Sequence, residues 1–201
     1  MFQAGDHPLR FDWTLAPFYA VIFCWCAFAA IFLFRKRPPA LPESVRDRRA
    51  LWPIALQALA YAAVWALHRH PASPLFTPAW TPFFGILAVL LAASSVGLVL
   101  VSVRTLGGQW AIAARLIEGH QLITAGPYRF VRNPIYTGML GMLIATGLVA
   151  GHWLGLLLGC VLFLVGTIWR VRLEEQLLRA RFGPQFEHYR AKVPALIPGV
   201  W

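Results

Sequence analysis

Five apolar runs, at about residues 13 to 34, 51 to 67, 82 to 103, 135 to 149 and 153 to 169, contain no Asp, Glu, Lys or Arg. A helix of about 20 apolar residues, with a tolerated range of roughly 17 to 25, crosses the ~30 Å hydrocarbon layer of a bilayer. The last two runs are short and joined only by Ala150-Gly151-His152, which predicts a helical hairpin with a tight turn. The chain is 59% hydrophobic and 13% charged, against roughly 25% charged residues in an ordinary soluble domain. The expectation is an all-α, polytopic membrane protein: one domain over residues 1–201, about five transmembrane helices, and a cytoplasmic helical extension after the fifth.

Basic residues set the orientation, because Lys and Arg accumulate in cytoplasmic loops. Arg35, Lys36, Arg37, Arg46, Arg48 and Arg49 follow the first run. Arg104, Arg115, Arg129 and Arg132 follow the third, and Arg170, Arg172, Arg179, Arg181, Arg190 and Lys192 follow the fifth. Only Arg10 and Arg69 remain for the opposite face. Trp13, Trp65, Trp80 and Trp153 then fall at outer ends, and Trp52, Trp110 and Trp169 at inner ends, as interfacial belts. The N-terminus is expected outside and the C-terminus in the cytoplasm, in an integral protein of a bacterial inner membrane. The net charge of +10 follows from this asymmetry. It calls for anionic lipid headgroups as partners, and no nucleic-acid motif accompanies it.

Local punctuation agrees with helical runs. Trp52-Pro53 and Thr81-Pro82 place proline in a first turn, where its missing N–H costs little. Beyond Trp169 the segment Arg170 to Arg179 is charged and amphipathic, and it runs into Phe182-Gly183-Pro184, a helix stop. Gly138, Gly141, Gly147, Gly155, Gly159 and Gly166 stud the last two runs. Small residues let helices approach closely in lipid, or they open a cleft. Cys24, Cys26 and Cys160 read as buried apolar cysteines. His68-Arg69-His70 lacks a third metal ligand, so no metal site is expected.

Chemistry concentrates between the third run and the C-terminus. The segment Gly126-Pro127-Tyr128-Arg129-Phe130-Val131-Arg132-Asn133-Pro134-Ile135-Tyr136-Thr137-Gly138 is followed, beyond the hairpin, by Glu174-Glu175. This arrangement resembles the isoprenylcysteine carboxyl methyltransferases and phospholipid methyltransferases. Their pattern of Gly-x-Tyr, three residues, then Arg-His-Pro-x-Tyr-x-Gly is matched by Gly126, Tyr128, Arg132, Pro134, Tyr136 and Gly138. Glu118 to Thr124 is similar to the lead-in, Leu106 to Trp110 to the loop before it, and Phe182 to Tyr189 with Val193-Pro194 and Pro198 to the closing segment. The resemblance covers residues 106–198. Asn133 stands where the family has histidine, Phe186 where it has tyrosine, and Ala195 where it has arginine.

The resemblance implies S-adenosylmethionine as cofactor, bound at the cytoplasmic face, and methyl transfer to a lipidic or membrane-partitioned acceptor, isoprenylcysteine carboxylate-like or phospholipid-like. It implies that His120, Leu122, Gly126, Tyr128, Asn133, Pro134 and Tyr136 shape the cofactor pocket. Glu174 and Glu175 would hold the ribose or ammonium of the donor. Arg132 and Tyr136 would be the catalytic residues, with Arg132 orienting a carboxylate or phosphate bidentately. Asn133 offers a donor and an acceptor but takes up no proton near neutral pH. Two other readings use the same residues: a membrane reductase related to sterol reductases, for which the chain is short, and a non-enzymatic scaffold or transport-related protein. The uncharged spans argue against an ion pathway.

Overall fold

The computed structural model describes residues 15–34, 51–70, 75–76, 78–107 and 122–197. His120, Arg115, Trp13, Trp110 and the basic residues between 35 and 50 lie outside them. Six α-helices form among the described residues: α1 (Ala16–Leu33), α2 (Leu51–Ala66), α3 (Thr81–Leu106), α4 (Pro134–Val149), α5 (Trp153–Phe182) and α6 (Pro184–Lys192). The described residues contain no β-strand, only an isolated bridge between His68 and Gly151.

Helices α1, α3 and α5 are long and apolar enough to cross a membrane. The two other apolar helices, α2 and α4, have 16 residues each, about 24 Å at 1.5 Å per residue. Proline stands in the first turn of α2 and α3, as the sequence predicts, and Pro134 opens α4 as well. The charged extension is continuous with α5, which runs unbroken to Phe182 before Gly183 turns the chain at φ 47°. Trp52 and Trp169 are exposed at one end of the bundle, and Trp65, Trp80 and Trp153 at the other.

Glycine sets the helix spacing. A Cβ at Gly159 would meet Val64 Cγ2 at 2.6 Å and Ala60 O at 3.0 Å, and one at Gly166 would meet Pro53 O at 2.9 Å. Gly155 is equally tight against Leu67 and Ala63, so one stripe of α5 seats α2 along most of its length. Gly138 and Gly141 give α3 the same close approach through Val99 and Ser95. These glycines therefore serve packing, which settles the choice between packing and an open cleft. With little hydrophobic force between helices in lipid, close contact is a main source of cohesion.

Side-chain hydrogen bonds then fix register between helices. Trp25 Nε1 donates to Thr146 Oγ1 at 2.9 Å, Tyr61 Oη to Met139 O at 2.7 Å, and Gln57 Nε2 to Thr167 Oγ1 at 2.9 Å. At the far end, Arg69 N donates to Ala150 O and His152 N to Leu67 O, both at 2.8 Å. These two bonds clamp the end of α2 to the α4–α5 connection. Across that connection Gly147 faces Leu156 and Gly159 faces Leu143.

Replacing Gly159 by valine should cost about 1–3 kcal/mol of stability through overpacking, read as a lowered thermal midpoint in detergent. Gly97→Ala, where an added Cβ would meet nothing within 4 Å, should leave the midpoint unchanged or raise it.

Candidate functional site

The site lies at the end of the bundle away from Gly151, where the start of α4, the extension of α5 and the chain after α6 converge. The turn Gly126–Arg129 borders it. Gly126 has φ 59°, and a Cβ there would meet Thr105 Oγ1 at 2.9 Å. Only glycine suits both the left-handed backbone and that approach to the end of α3. Tyr128 is buried within this turn, and its carbonyl accepts a hydrogen bond from Tyr189 Oη at 2.5 Å. Leu122 lies half-buried in the irregular stretch ahead of it.

Pro134 opens α4 and is fully buried. Its two predecessors carry the chain into contact with the segment after α6. Arg132 N donates to Pro194 O at 2.9 Å and Asn133 N to Ala195 O at 3.0 Å. Asn133 Nδ2 adds a bond to Ala195 O at 3.1 Å, and Thr137 Oγ1 donates to Leu196 O at 2.6 Å. The strap 193–197 is thus laced along the first turn of α4. Ala195 and Leu196 pack beneath it against Tyr136, Val171 and Met139.

Arg132 is the knot of this lacing. Its Nε and Nη2 donate to Glu175 Oε1 at 2.9 and 2.8 Å, and its Nη1 donates to Val193 O and to Arg190 O. Its side chain is 7% exposed and that of Glu175 12%. Glu175 Oε2 takes Arg190 Nε at 3.3 Å. The sequence suggests an arginine free to orient a bound carboxylate. In the structure the protein's own carboxylate already fills that fork, because α5 places Glu175 against the start of α4.

Glu174 is arranged differently. Its Oε1 accepts from Tyr136 Oη at 2.6 Å and from Arg170 Nε at 3.1 Å, one helical turn back. Its Oε2 has no hydrogen-bond partner among the described residues and is not buried; the side chain is 25% exposed. The Arg170 guanidinium lies over the Tyr136 ring, 5.2 Å from the centroid, a cation–π contact. Among the described residues, then, this cluster presents one open carboxylate oxygen on a rigid mount, suited to accept from hydroxyls or an ammonium. No metal-binding group of three or more His, Cys, Asp or Glu occurs among them.

Burial pushes the Tyr128 hydroxyl well above its ordinary value, with Tyr189 and Glu174 adding to the effect. Tyr189 is pushed up to about 12, chiefly by burial, with Arg132 opposing and Glu175 adding. Because this folded value exceeds the ordinary ~10 of a free phenol, its stabilising contribution is complete below about pH 10. It is lost as pH rises through the folded value.

The structure brings Tyr128, Arg132, Asn133, Pro134, Tyr136, Glu174 and Glu175 together, with Gly126 at the edge. His120 lies outside the described residues. Sequence reasoning placed Arg170 only in the charged extension of α5, and it missed Gln57, Thr167, Tyr189 and Arg190 as parts of the cluster. The i, i+4 spacing of Arg170 and Glu174 was the available signal for the first.

Comparison with known proteins adds lineage to this geometry. Residues 83–185 match the model of the phospholipid methyltransferase family. The chain is 33% identical over 87 residues to the protein-S-isoprenylcysteine O-methyltransferase of Schizosaccharomyces pombe, covering 43% of this chain and 37% of that protein. It is 26% identical over 181 residues to a probable protein-S-isoprenylcysteine O-methyltransferase of Oryza sativa, covering 87% of this chain and 95% of the relative. It is 36% identical over 83 residues to methanethiol S-methyltransferase 2 of Bradyrhizobium diazoefficiens, covering 41% and 30%.

Arg132→Met should cost about 3 kcal/mol, the penalty of stripping one partner from a buried ion pair. Hydrogen exchange at 193–197 should accelerate with it. Thr137→Val, which removes one bond to the strap, should cost about 1 kcal/mol with a smaller change in exchange.

Proposed function

The chain belongs to the phospholipid methyltransferase family, and from that premise we propose that it transfers a methyl group from S-adenosylmethionine to a membrane-partitioned acceptor. The open Oε2 of Glu174, held by Tyr136 and Arg170 through Oε1, is the observation that carries the reading. When bound, S-adenosylmethionine supplies an electrophilic methyl group on a sulfonium centre. Glu174 accepts hydrogen bonds from ribose hydroxyls or from the donor's ammonium. Gly126, Tyr128, Asn133, Pro134 and Tyr136, with Leu122, form the pocket around it.

The two acids divide the work. Glu175 braces the pocket from behind by tying Arg132 and Arg190, while Glu174 faces the donor. Arg132 acts in this scheme as the residue that holds the strap. Asn133 contributes an amide whose Nδ2 is given to Ala195 O, so it serves to hold rather than to take a proton. Fixing both reactants at attack distance can supply ~7–11 kcal/mol of the barrier, and an acceptor that arrives as an anion needs no base. That favours an isoprenylcysteine carboxylate-like acceptor over a phospholipid amine, and relatives named for isoprenylcysteine O-methylation support the same choice.

In the bilayer we take α1 to α5 as five crossing helices, with α4 and α5 a hairpin, the N-terminus outside and the site at the cytoplasmic surface. The distribution of arginine and the two tryptophan belts support this placement. The short α2 and α4 are accommodated by local thinning and interfacial anchors.

Calorimetric titration of the detergent-purified protein with S-adenosylmethionine should give a micromolar dissociation constant, which Tyr136→Phe weakens roughly tenfold, as expected for losing a hydrogen bond to a charged group. Labelled methyl should then pass to a prenylated cysteine analogue and not to phosphatidylethanolamine. A folded protein that binds no donor would overturn the enzyme reading in favour of a scaffold. Transfer to the phospholipid would reverse the choice of acceptor.

A further inference from the structure

Helix α2 lies outside the segment matched by the family model, and the sequence offered it no role beyond topology. It nevertheless carries one amide, Gln57, in an otherwise apolar stretch, with 3% of its surface exposed. Burying an amide is unfavourable unless its polar atoms are paired. Gln57 Nε2 donates to Thr167 Oγ1 at 2.9 Å, and Gln57 Oε1 faces Arg170 Nη1 at 3.5 Å, beyond the roughly 2.7–3.2 Å of an ordinary N–H···O bond and so an electrostatic contact between carbonyl dipole and guanidinium. The guanidinium, which only donates, fixes which way the amide points, and the Thr167 hydroxyl accepts from the other end. The carbonyl oxygen is left directed at the guanidinium.

We infer that Gln57 is a positioning residue: it holds Arg170 from the α2 side, and through Arg170 it aims the Glu174 carboxylate at the methyl donor. This rests on the reading of the site given above. Among its contacts Arg170 meets Gln57 Oε1, the Tyr136 ring and Glu174 Oε1. A guanidinium is planar, so fixing its Nη1 edge and its face also fixes the direction of the Nε–H that Glu174 accepts. Glu174 Oε1 is saturated by Arg170 and Tyr136, and Oε2 is turned outward. Docking of α2 does not depend on the amide. The contacts of Gly155, Gly159 and Gly166 seat α2 against α5 through backbone and apolar atoms.

The test is a double-mutant cycle read by calorimetric binding of S-adenosylmethionine, using the whole protein in detergent. Gln57→Met keeps length and apolar packing, and should weaken binding about tenfold, within the range of residues coupled through one network, with little change in thermal midpoint. In an Arg170→Met background the same substitution should have no further effect. Thr167→Val, which removes the acceptor at the other end of the amide, should repeat the pattern at smaller size and serves if Gln57→Met does not fold. Unchanged affinity in Gln57→Met, or a loss that simply adds to that of Arg170→Met, would overturn the inference and leave the methyl-donor site standing. Absence of binding by the unaltered, folded protein would remove both.

Discussion

The Arg132–Glu175 pair is the interaction on which the site depends. It joins three stretches that are distant in sequence: the start of α4, the extension of α5 and the strap after α6. Both side chains are close to fully buried, and a buried pair is kept only where geometry and additional hydrogen bonds offset the cost of desolvation. Here Arg190 Nε meets the second oxygen of Glu175, while the backbone carbonyls of Arg190 in α6 and Val193 in the strap accept from Nη1 of Arg132. Removing either partner would leave the other buried without its main partner, so the pair ties α4, α5 and the strap together.

Adjacent acids end up with different tasks because successive residues of an α-helix are turned by about 100°. Glu175 is carried toward the strap, and Glu174 toward Tyr136 and Arg170. Sequence adjacency suggests a paired carboxylate site; helix geometry separates a brace from an open acceptor. The same geometry explains Arg170. It lies one turn before Glu174 on the same face, where it can meet both that carboxylate and the Tyr136 ring.

The helices were largely legible because their signals are local and strong. Uncharged runs, with Pro53 and Pro82 as helix starts and the Gly183-Pro184 stop, set boundaries within a few residues of those observed. The motif around Tyr136 was legible too, since a closely spaced segment that enters a helix must deliver its side chains to one place. What stayed hidden depended on contacts between distant segments. Nothing in the sequence of 193–197 marks it as a strap, because what it gives to α4 is a row of backbone carbonyls, which any residue would supply. Gln57 carried a faint signal, a single amide in an apolar helix, whose partner lies more than a hundred residues away. The free fork expected of Arg132 was lost for the same reason: its carboxylate comes from the chain itself.

Glycine packing in α4 and α5, polar bonds between helices and the buried ion pair together describe a rigid mount with one carboxylate oxygen open among the described residues. The division of labour between Glu174 and Glu175 is its central claim, and neutral isosteres separate the two roles most directly. Donor affinity and thermal midpoint should be measured side by side for Glu174→Gln and Glu175→Gln. Glu174→Gln should lose most of its affinity for S-adenosylmethionine while melting close to the unaltered protein, and Glu175→Gln should melt markedly lower. Equal loss of affinity in both with no difference in melting, or loss confined to Glu175→Gln, would contradict the account.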